Sequence, residues 1–276
     1  MPDALTVRQA LAQAGLAPID AQVLLAHALD VERSWLAGHA TDRLAAAEVA
    51  RFLALARRRR EGEPVAYLTG RREFFGLPLA VDRSVLIPRP ETETLVECAL
   101  ARLPADRPAR VLDLGTGSGA VALAIAHERP LAAVWGTDRS PAALAVARAN
   151  GERMKLANVR WLQSDWYHDL SGEDGRFDLI ASNPPYVADG DPHLREGDVR
   201  FEPRRALAAG AQGLDALRVI IGGAPDWLAA RGFLVVEHGY DQADAVRDLM
   251  GRAGLADVAS LRDLAGIVRV AAGRAP

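Results

Sequence analysis

Cysteine and lysine are nearly absent from this chain, and basic residues are not in excess. With Cys98 as the sole cysteine, no disulfide and no cysteine-based zinc site can form within one chain. Cys98 falls in an apolar helical run after Glu97, which favours buried packing over a nucleophilic role. The six histidines are scattered without paired spacing, so no metal is expected. Lys155 is the only lysine, and with the abundant arginine and alanine it reads as compositional bias. A formal net charge of -3 and a pI near 6.1 argue against affinity drawn from neutralising many phosphates, so no extended nucleic-acid binding is expected. No apolar run reaches the roughly 20 residues that span a membrane. The start, Met1-Pro2-Asp3-Ala4-Leu5, has no basic stretch followed by an apolar one. The expectation is a soluble cytoplasmic protein with no membrane partner. No internal repeat or low-complexity segment stands out.

At 276 residues, half of them hydrophobic, the chain exceeds a usual single domain of roughly 100 to 200 residues, so one large and one small domain are expected. Helical spacing runs through residues 1–70, as in Leu24, Leu25, Ala28 and Leu29, with no strand-like alternation. Eight arginines there balance eight acidic residues, which excludes a basic nucleic-acid arm. The run Arg57-Arg58-Arg59-Arg60 suits a helix C-terminus, closed by Gly62 and Pro64, and reads as a solvated helix end. Residues 71–90 change to short apolar stretches broken by Gly76, Pro78 and Asp82-Arg83, a hairpin or extended linker, with a helix starting at Glu91 or Thr92.

Beyond Pro108 strands and helices alternate: strands over 110–114, 131–137, 159–163, 177–182 and 232–237, and helices over 118–128, 141–150, 214–230 and 242–250. Such alternation is the signature of a parallel, doubly wound α/β sheet, here closed by an antiparallel hairpin over 258–271.

The first strand leads into Asp113-Leu114-Gly115-Thr116-Gly117-Ser118-Gly119-Ala120. Glycines let backbone approach a ligand at positive φ, and the helix N-terminus favours negative charge. Alone this is ambiguous, because Gly115, Gly117 and Ala120 also satisfy a dinucleotide fingerprint. Asp138 ends the second strand 19 residues after Gly119, where its carboxylate can accept from ribose hydroxyls. The third strand leads into Asp165-Trp166, a carboxylate for an adenine amino group with a ring beside it, though a strand-end turn with a buried Trp fits as well. Strand C-termini of an open α/β sheet converge on one crevice, so Gly115, Asp138, Asp165 and the residue after the fourth strand, Asn183, would surround one ligand. No residue set for hydride transfer lies beside them, which favours S-adenosylmethionine.

After the fourth strand comes Asn183-Pro184-Pro185-Tyr186. Asn183 offers a carbonyl acceptor, and two prolines stiffen the backbone so that the Pro184 carbonyl can be a second one. Two fixed acceptors fit one NH2 group, and Tyr186 offers a flat face for a planar amide or base. Asn and Pro are also common turn residues, so the end of a strand is the lesser of two readings of the tetrapeptide alone.

Together these residues resemble the class I methyltransferase fold, and in detail the peptide chain release factor glutamine N5-methyltransferase family. The resemblance spans nearly the whole chain. It is carried by Gly62-Glu63-Pro64, Tyr67-Leu68-Thr69-Gly70, Arg72-Glu73-Phe74-Phe75-Gly76, Leu86-Ile87-Pro88-Arg89-Pro90-Glu91-Thr92-Glu93, the glycine loop, Gln163-Ser164-Asp165-Trp166, Asn183 to Tyr186, Gly197-Asp198-Val199-Arg200-Phe201-Glu202-Pro203 and Glu237-His238-Gly239. It implies a seven-stranded, mostly parallel sheet over 91–276 and a helical domain over 1–70 that grips a class 1 release factor. It implies S-adenosylmethionine bound by Gly115, Thr116, Gly117, Ser118, Gly119, Asp138, Asp165, Trp166 and Asn183. The Gln of a Gly-Gly-Gln motif would be held by Asn183, Pro184, Pro185 and Tyr186, with Asn183, Pro184 and Tyr186 catalytic. Arg89, Glu91, Glu93 and Glu202 line the substrate mouth or fix the loops. A glutamine methyltransferase of a ribosomal protein, an adenine N6-methyltransferase, and an NAD-dependent or non-catalytic binding module are the rival readings.

Overall fold

The computed structural model describes residues 5–276, apart from the side chain of Glu173; the reading of Met1 to Ala4 lies outside the described residues. The chain forms two compact units. One comprises residues through Arg71 together with Gly197–Phe201, the other Arg72–Glu196 and Glu202–Pro276.

The first unit is helical: α1 (Val7–Gln13), α2 (Pro18–Leu29), α3 (Trp35–Gly38), α4 (Ala46–Arg60) and α5 (Val65–Thr69). Thr6 caps α1 in a reciprocal box with Gln9, and Pro18 starts α2 where its missing N–H costs nothing. Leu24, Leu25, Phe52 and Ala56 share one buried core. The arginine run ends α4 as expected, with Arg57, Arg58 and Arg60 exposed, but it is tied by specific acceptors as well as solvated. Arg58 pairs with Glu63 at 2.7 Å, Arg59 bridges Asp20 at 2.8 Å and Asp198 at 2.7 Å, and Arg60 donates to the Ala14 carbonyl at 2.5 Å. Arg200 donates to the Glu61 carbonyl. Acceptors distant in sequence thus occupy the Arg59 and Arg60 guanidinium groups, and the Arg59–Asp198 and Arg200–Glu61 contacts hold residues 197–201 in the helical unit.

A hairpin of β1 (Arg71–Phe74), whose first residue closes the helical unit, and β2 (Leu77–Ala80) precedes α6 (Glu93–Leu100) in the second unit. Phe75 and Gly76 take φ of 51° and 75° at its tip, a two-residue turn with both φ positive. There follow β3 (Arg110–Leu114), α7 (Ala120–Glu128), β4 (Ala133–Asp138), α8 (Pro141–Arg153), β5 (Val159–Gln163), β6 (Phe177–Ser182), α9 (Asp215–Trp227), β7 (Leu228–Glu237), α10 (Ala243–Arg252), β8 (Ala256–Arg262) and β9 (Val268–Arg274). They build the expected seven-stranded sheet in the order β5-β4-β3-β6-β7-β9-β8, parallel except where β9 meets β7 and β8. Both faces are covered, so the strands are apolar on both sides: Val111, Leu179 and Val235 enter one core, Leu112, Ile180 and Leu234 the other. The buried Cys98 packs in the first of these, where burial pushes its thiol above the usual range.

The helix expected over 214–230 stops at Trp227, and β7 begins at Leu228 instead of 232. Leu228 pairs with Phe177, with a register shift before Leu179 pairs Phe233, so sheet hydrogen bonding overrides helical spacing there. Close packing also dictates Gly136 on β4. A Cβ there would stand 2.4 Å from the Trp161 ring and 3.1 Å from Thr116 Oγ1. Gly136→Ala is expected to destabilise the protein by about 1–3 kcal/mol, the usual range for overpacking, read as a lower urea midpoint at unchanged slope.

Candidate active site

Register decides which residues meet. Leu114 pairs with Thr137 on one side and Ser182 on the other, and Asp138 with Gln163, so β3, β4, β5 and β6 end level. β3 is where the strand order reverses, the point at which open α/β sheets bind ligands. A cavity of about 350 Å³ opens there, within the roughly 300–1,000 Å³ typical of small-molecule sites.

The glycine loop is tied from inside and outside. Asp113, 1% exposed, accepts from Thr116 Oγ1 at 2.6 Å and from the Ala122 amide at 3.1 Å, anchoring both loop and helix start. Burial pushes its carboxyl up to about 7. Asp138 accepts from the Gly117 amide at 3.0 Å through Oδ2 and from the Ser140 amide at 2.8 Å through Oδ1. Each oxygen retains acceptor capacity toward the cavity, as a ribose diol requires. Gly115 takes φ of 70°, and a Cβ there would lie 3.3 Å from the Trp166 ring, so conformation and crowding both demand glycine. Trp166 itself adopts φ of 54°, an uncommon state for a bulky residue, held by Ser164 Oγ donating to its carbonyl at 2.8 Å. Such strain persists where the surroundings over-determine it.

Asn183 follows β6 and donates through Nδ2 to Thr92 Oγ1 at 2.9 Å. Its Oδ1 is therefore the end left as an acceptor. Pro184 is buried. The Tyr186 hydroxyl lies 3.2 Å from Glu237 Oε1, and its carbonyl accepts from the buried Gln242 at 3.0 Å. Burial holds that hydroxyl well above the ordinary tyrosine range, so it remains a donor.

Of the residues singled out from sequence, the cavity is lined by Gly115, Thr116, Gly117, Ser118, Asp138, Asp165, Trp166, Asn183 and Pro185. Gly119, Pro184 and Tyr186 are not among its lining residues. The Glu202 side chain is fully buried, pairs with Arg89 at 2.6 Å and receives the Ile87 amide at 3.4 Å. Glu93 receives the Phe75 amide at 3.0 Å. These carboxylates and Arg89 fix loops around the site. Sequence reasoning gave no role to Thr92 beyond a helix start and membership of a family motif, nor to Glu237 beyond its family motif, nor did it single out Arg205, which lines the cavity and donates to Ser140 Oγ at 2.7 Å. The one early signal was the strand-end position of Glu237.

Residues 6–70 match the family described as the PrmC N-terminal domain, and residues 92–197 the methyltransferase small domain. Release factor glutamine methyltransferase of Xylella fastidiosa (strain 9a5c) is 54% identical over 258 residues, 94% of this chain and 93% of that one. The protein of the same name from Burkholderia pseudomallei (strain K96243) is 52% identical over 281 residues, 100% of this chain and 98% of that one. Among solved structures, a T. Thermophilus 16S rRNA N2 G1207 methyltransferase in complex with AdoMet and guanosine superposes with a TM-score of 0.55 at 21% identity, covering 75% of this chain and 50% of that one. That likeness shows a class I methyltransferase fold and no more. Identity above one half across nearly full length goes further: this chain belongs to the release factor glutamine methyltransferase family.

Proposed function

We propose that this protein transfers the methyl group of S-adenosylmethionine to the side-chain amide nitrogen of the Gln in the Gly-Gly-Gln motif of class 1 peptide chain release factors. The observation that carries the reading is the orientation of Asn183. Its amide nitrogen is committed to Thr92, so its oxygen is the acceptor it offers on the cavity wall, beside the Asp138 carboxylate and the glycine loop.

The residues present fit the donor. Asp138 is immobilised with acceptor capacity for a ribose diol, Gly117 takes φ of 55° with open space where a Cβ would project, and Asp165 and Trp166 line the same cavity for an adenine. When bound, S-adenosylmethionine supplies a sulfonium methyl group, already activated for displacement. The protein's task is positioning. An amide nitrogen is a weak nucleophile because its lone pair is delocalised into the carbonyl. Asn183 Oδ1 takes one N–H of the substrate amide; the second acceptor read from sequence, the Pro184 carbonyl, belongs to a buried residue outside the cavity lining. Charge developing on that nitrogen then meets a dipole already in place, and the nitrogen is held in one orientation. The C–S bond of the sulfonium breaks as the N–CH3 bond forms, one N–H proton is then lost to solvent, and the products are N5-methylglutamine, S-adenosylhomocysteine and that proton.

The test is transfer of labelled methyl from S-adenosylmethionine to a purified class 1 release factor, run beside its Gly-Gly-Gln to Gly-Gly-Ala variant, with mass spectrometry locating the label. Incorporation that disappears with the Gln is the expected result. No incorporation by folded protein that binds S-adenosylhomocysteine would overturn the reading, and would point to a ribosomal-protein glutamine or an adenine amine.

A further inference from the structure

The tetrapeptide is stiff along its backbone. Pro184 and Pro185 each fix φ at about -65° and restrict the residue before them to extended backbone, so Asn183 and Tyr186 stand at the two ends of a strut. A shift at one end reaches the other.

At the Asn183 end, Thr92 Oγ1 holds the side-chain amide. At the Tyr186 end the anchor is Gln242. This residue precedes α10 but makes no capping bond to that helix, and it is buried. Its Nε2 donates to the Tyr186 carbonyl at 3.0 Å and to the carbonyls of Gln212 and Gly213, both at 3.3 Å. Its Oε1 accepts from the Gly239 amide at 2.8 Å. Both ends of one side-chain amide are therefore occupied, and they join the tetrapeptide to the turn after β7 and to the segment that enters α9.

The space around the same carbonyl is equally specified. Gly213 takes φ of 68°, and a Cβ there would stand 2.1 Å from the Tyr186 oxygen and 2.9 Å from Gln242 Nε2. The following residue, Val187, donates to the Leu207 carbonyl and accepts from the Ala209 amide, both at 2.9 Å. Ala208 and Ala209 line the cavity, as Asn183 and Pro185 do. One joint thus sets two walls of the site.

We infer that Gln242 is a positioning residue for methyl transfer: by holding the Tyr186 carbonyl it fixes, through the two prolines, where Asn183 Oδ1 stands on the cavity wall. The inference rests on the proposed role of Asn183 as acceptor. Gln242 is not among the residues that line the cavity, so its effect runs through the backbone of the tetrapeptide.

The experiment is single-turnover methyl transfer to a release factor by wild type, Asn183→Ala, Gln242→Leu and the double variant, with S-adenosylhomocysteine affinity and the urea midpoint measured on each. Gln242→Leu removes the donors at similar volume. It is expected to slow transfer about 10- to 100-fold, the scale of a group misplaced by about 1 Å. S-adenosylhomocysteine affinity should stay within about threefold of wild type, because the cofactor contacts survive. In the Asn183→Ala background the same substitution is expected to cost less than about threefold, because no acceptor remains to be misplaced. Gly213→Ala, which crowds the same carbonyl, is expected to reproduce both the loss and its dependence on Asn183. It decides if Gln242→Leu does not fold. If neither folds, Gln242→Asn decides: its amide sits on an arm one methylene shorter, and its transfer rate is expected to fall below wild type. Folded Gln242 and Gly213 variants that match the wild-type rate, or a loss of equal size with and without Asn183, would overturn this inference alone. Asn183→Ala as fast as wild type would overturn the role of Asn183 and this inference with it. Wild type inactive on the release factor would overturn the proposed function as well.

Discussion

Asn183→Ala is expected to lower kcat by roughly 10² to 10³, the cost of deleting one preorganised electrostatic partner of a developing charge. Asn183 is the one side chain of the tetrapeptide that lines the cavity while its other end is fastened, through Nδ2 to Thr92 at 2.9 Å. Alanine removes the acceptor and leaves Thr92 without its donor. The loss should fall on kcat with cofactor affinity largely retained, since the interaction strengthens as charge develops on the nitrogen. Asn183→Asp is expected to give no rescue. It restores acceptors toward the substrate, but it replaces the N–H that Thr92 Oγ1 accepts with a second carboxylate, at the end of the strand next to that of the buried Glu237. Single-turnover methyl transfer at saturating S-adenosylmethionine, on variants that still bind S-adenosylhomocysteine, measures the effect. Turnover within a few-fold of wild type would remove Asn183 from the chemistry.

Asp138→Ala is expected to weaken S-adenosylhomocysteine binding by roughly 1.5–3 kcal/mol, the scale of hydrogen bonds to a charged group, or about 10- to 150-fold in Kd. Two losses combine: the carboxylate for the ribose, and the acceptor for the amides of Gly117 and Ser140, which shapes the loop the ligand approaches. Asp138→Asn should fall short of wild type too. An amide has one acceptor end, so its NH2 must oppose either the Gly117 or the Ser140 N–H. Isothermal titration calorimetry reads both variants directly. An unchanged Kd for Asp138→Ala would exclude it from the site.

These two residues were legible from sequence, and so was the sheet around them. Gly115, Asp138, Asp165 and Asn183 each follow an apolar strand, and parallel strands covered on both faces must end at one edge. Spacing along the chain is enough for that deduction, because it concerns the backbone of elements whose order the alternation reveals. The residues that orient the site are different in kind. Thr92 is 91 residues from Asn183, Glu237 is 51 from Tyr186, and Glu202 is 113 from Arg89. No local pattern marks such partners, because the hydrogen bond depends on register and on which helix start is packed behind which strand end. The arginine run shows the same limit. Its position at a helix end was readable, but Asp20, Ala14 and Asp198, which occupy those guanidinium groups, come from three other segments.

The sequence by itself thus determined the alternating α/β unit, the helical segment before it, the glycine loop and the acceptor tetrapeptide. Those follow from periodicity, turn chemistry and the donor and acceptor inventory of single residues. Tertiary structure alone decided that β7 begins at Leu228, that residues 197–201 return to the helical unit, and that the Asn183 amide is fastened to Thr92 beside the buried Glu237. Each of these depends on free energy shared between distant segments, through sheet pairing, ion pairing and burial, and no single segment carries that information.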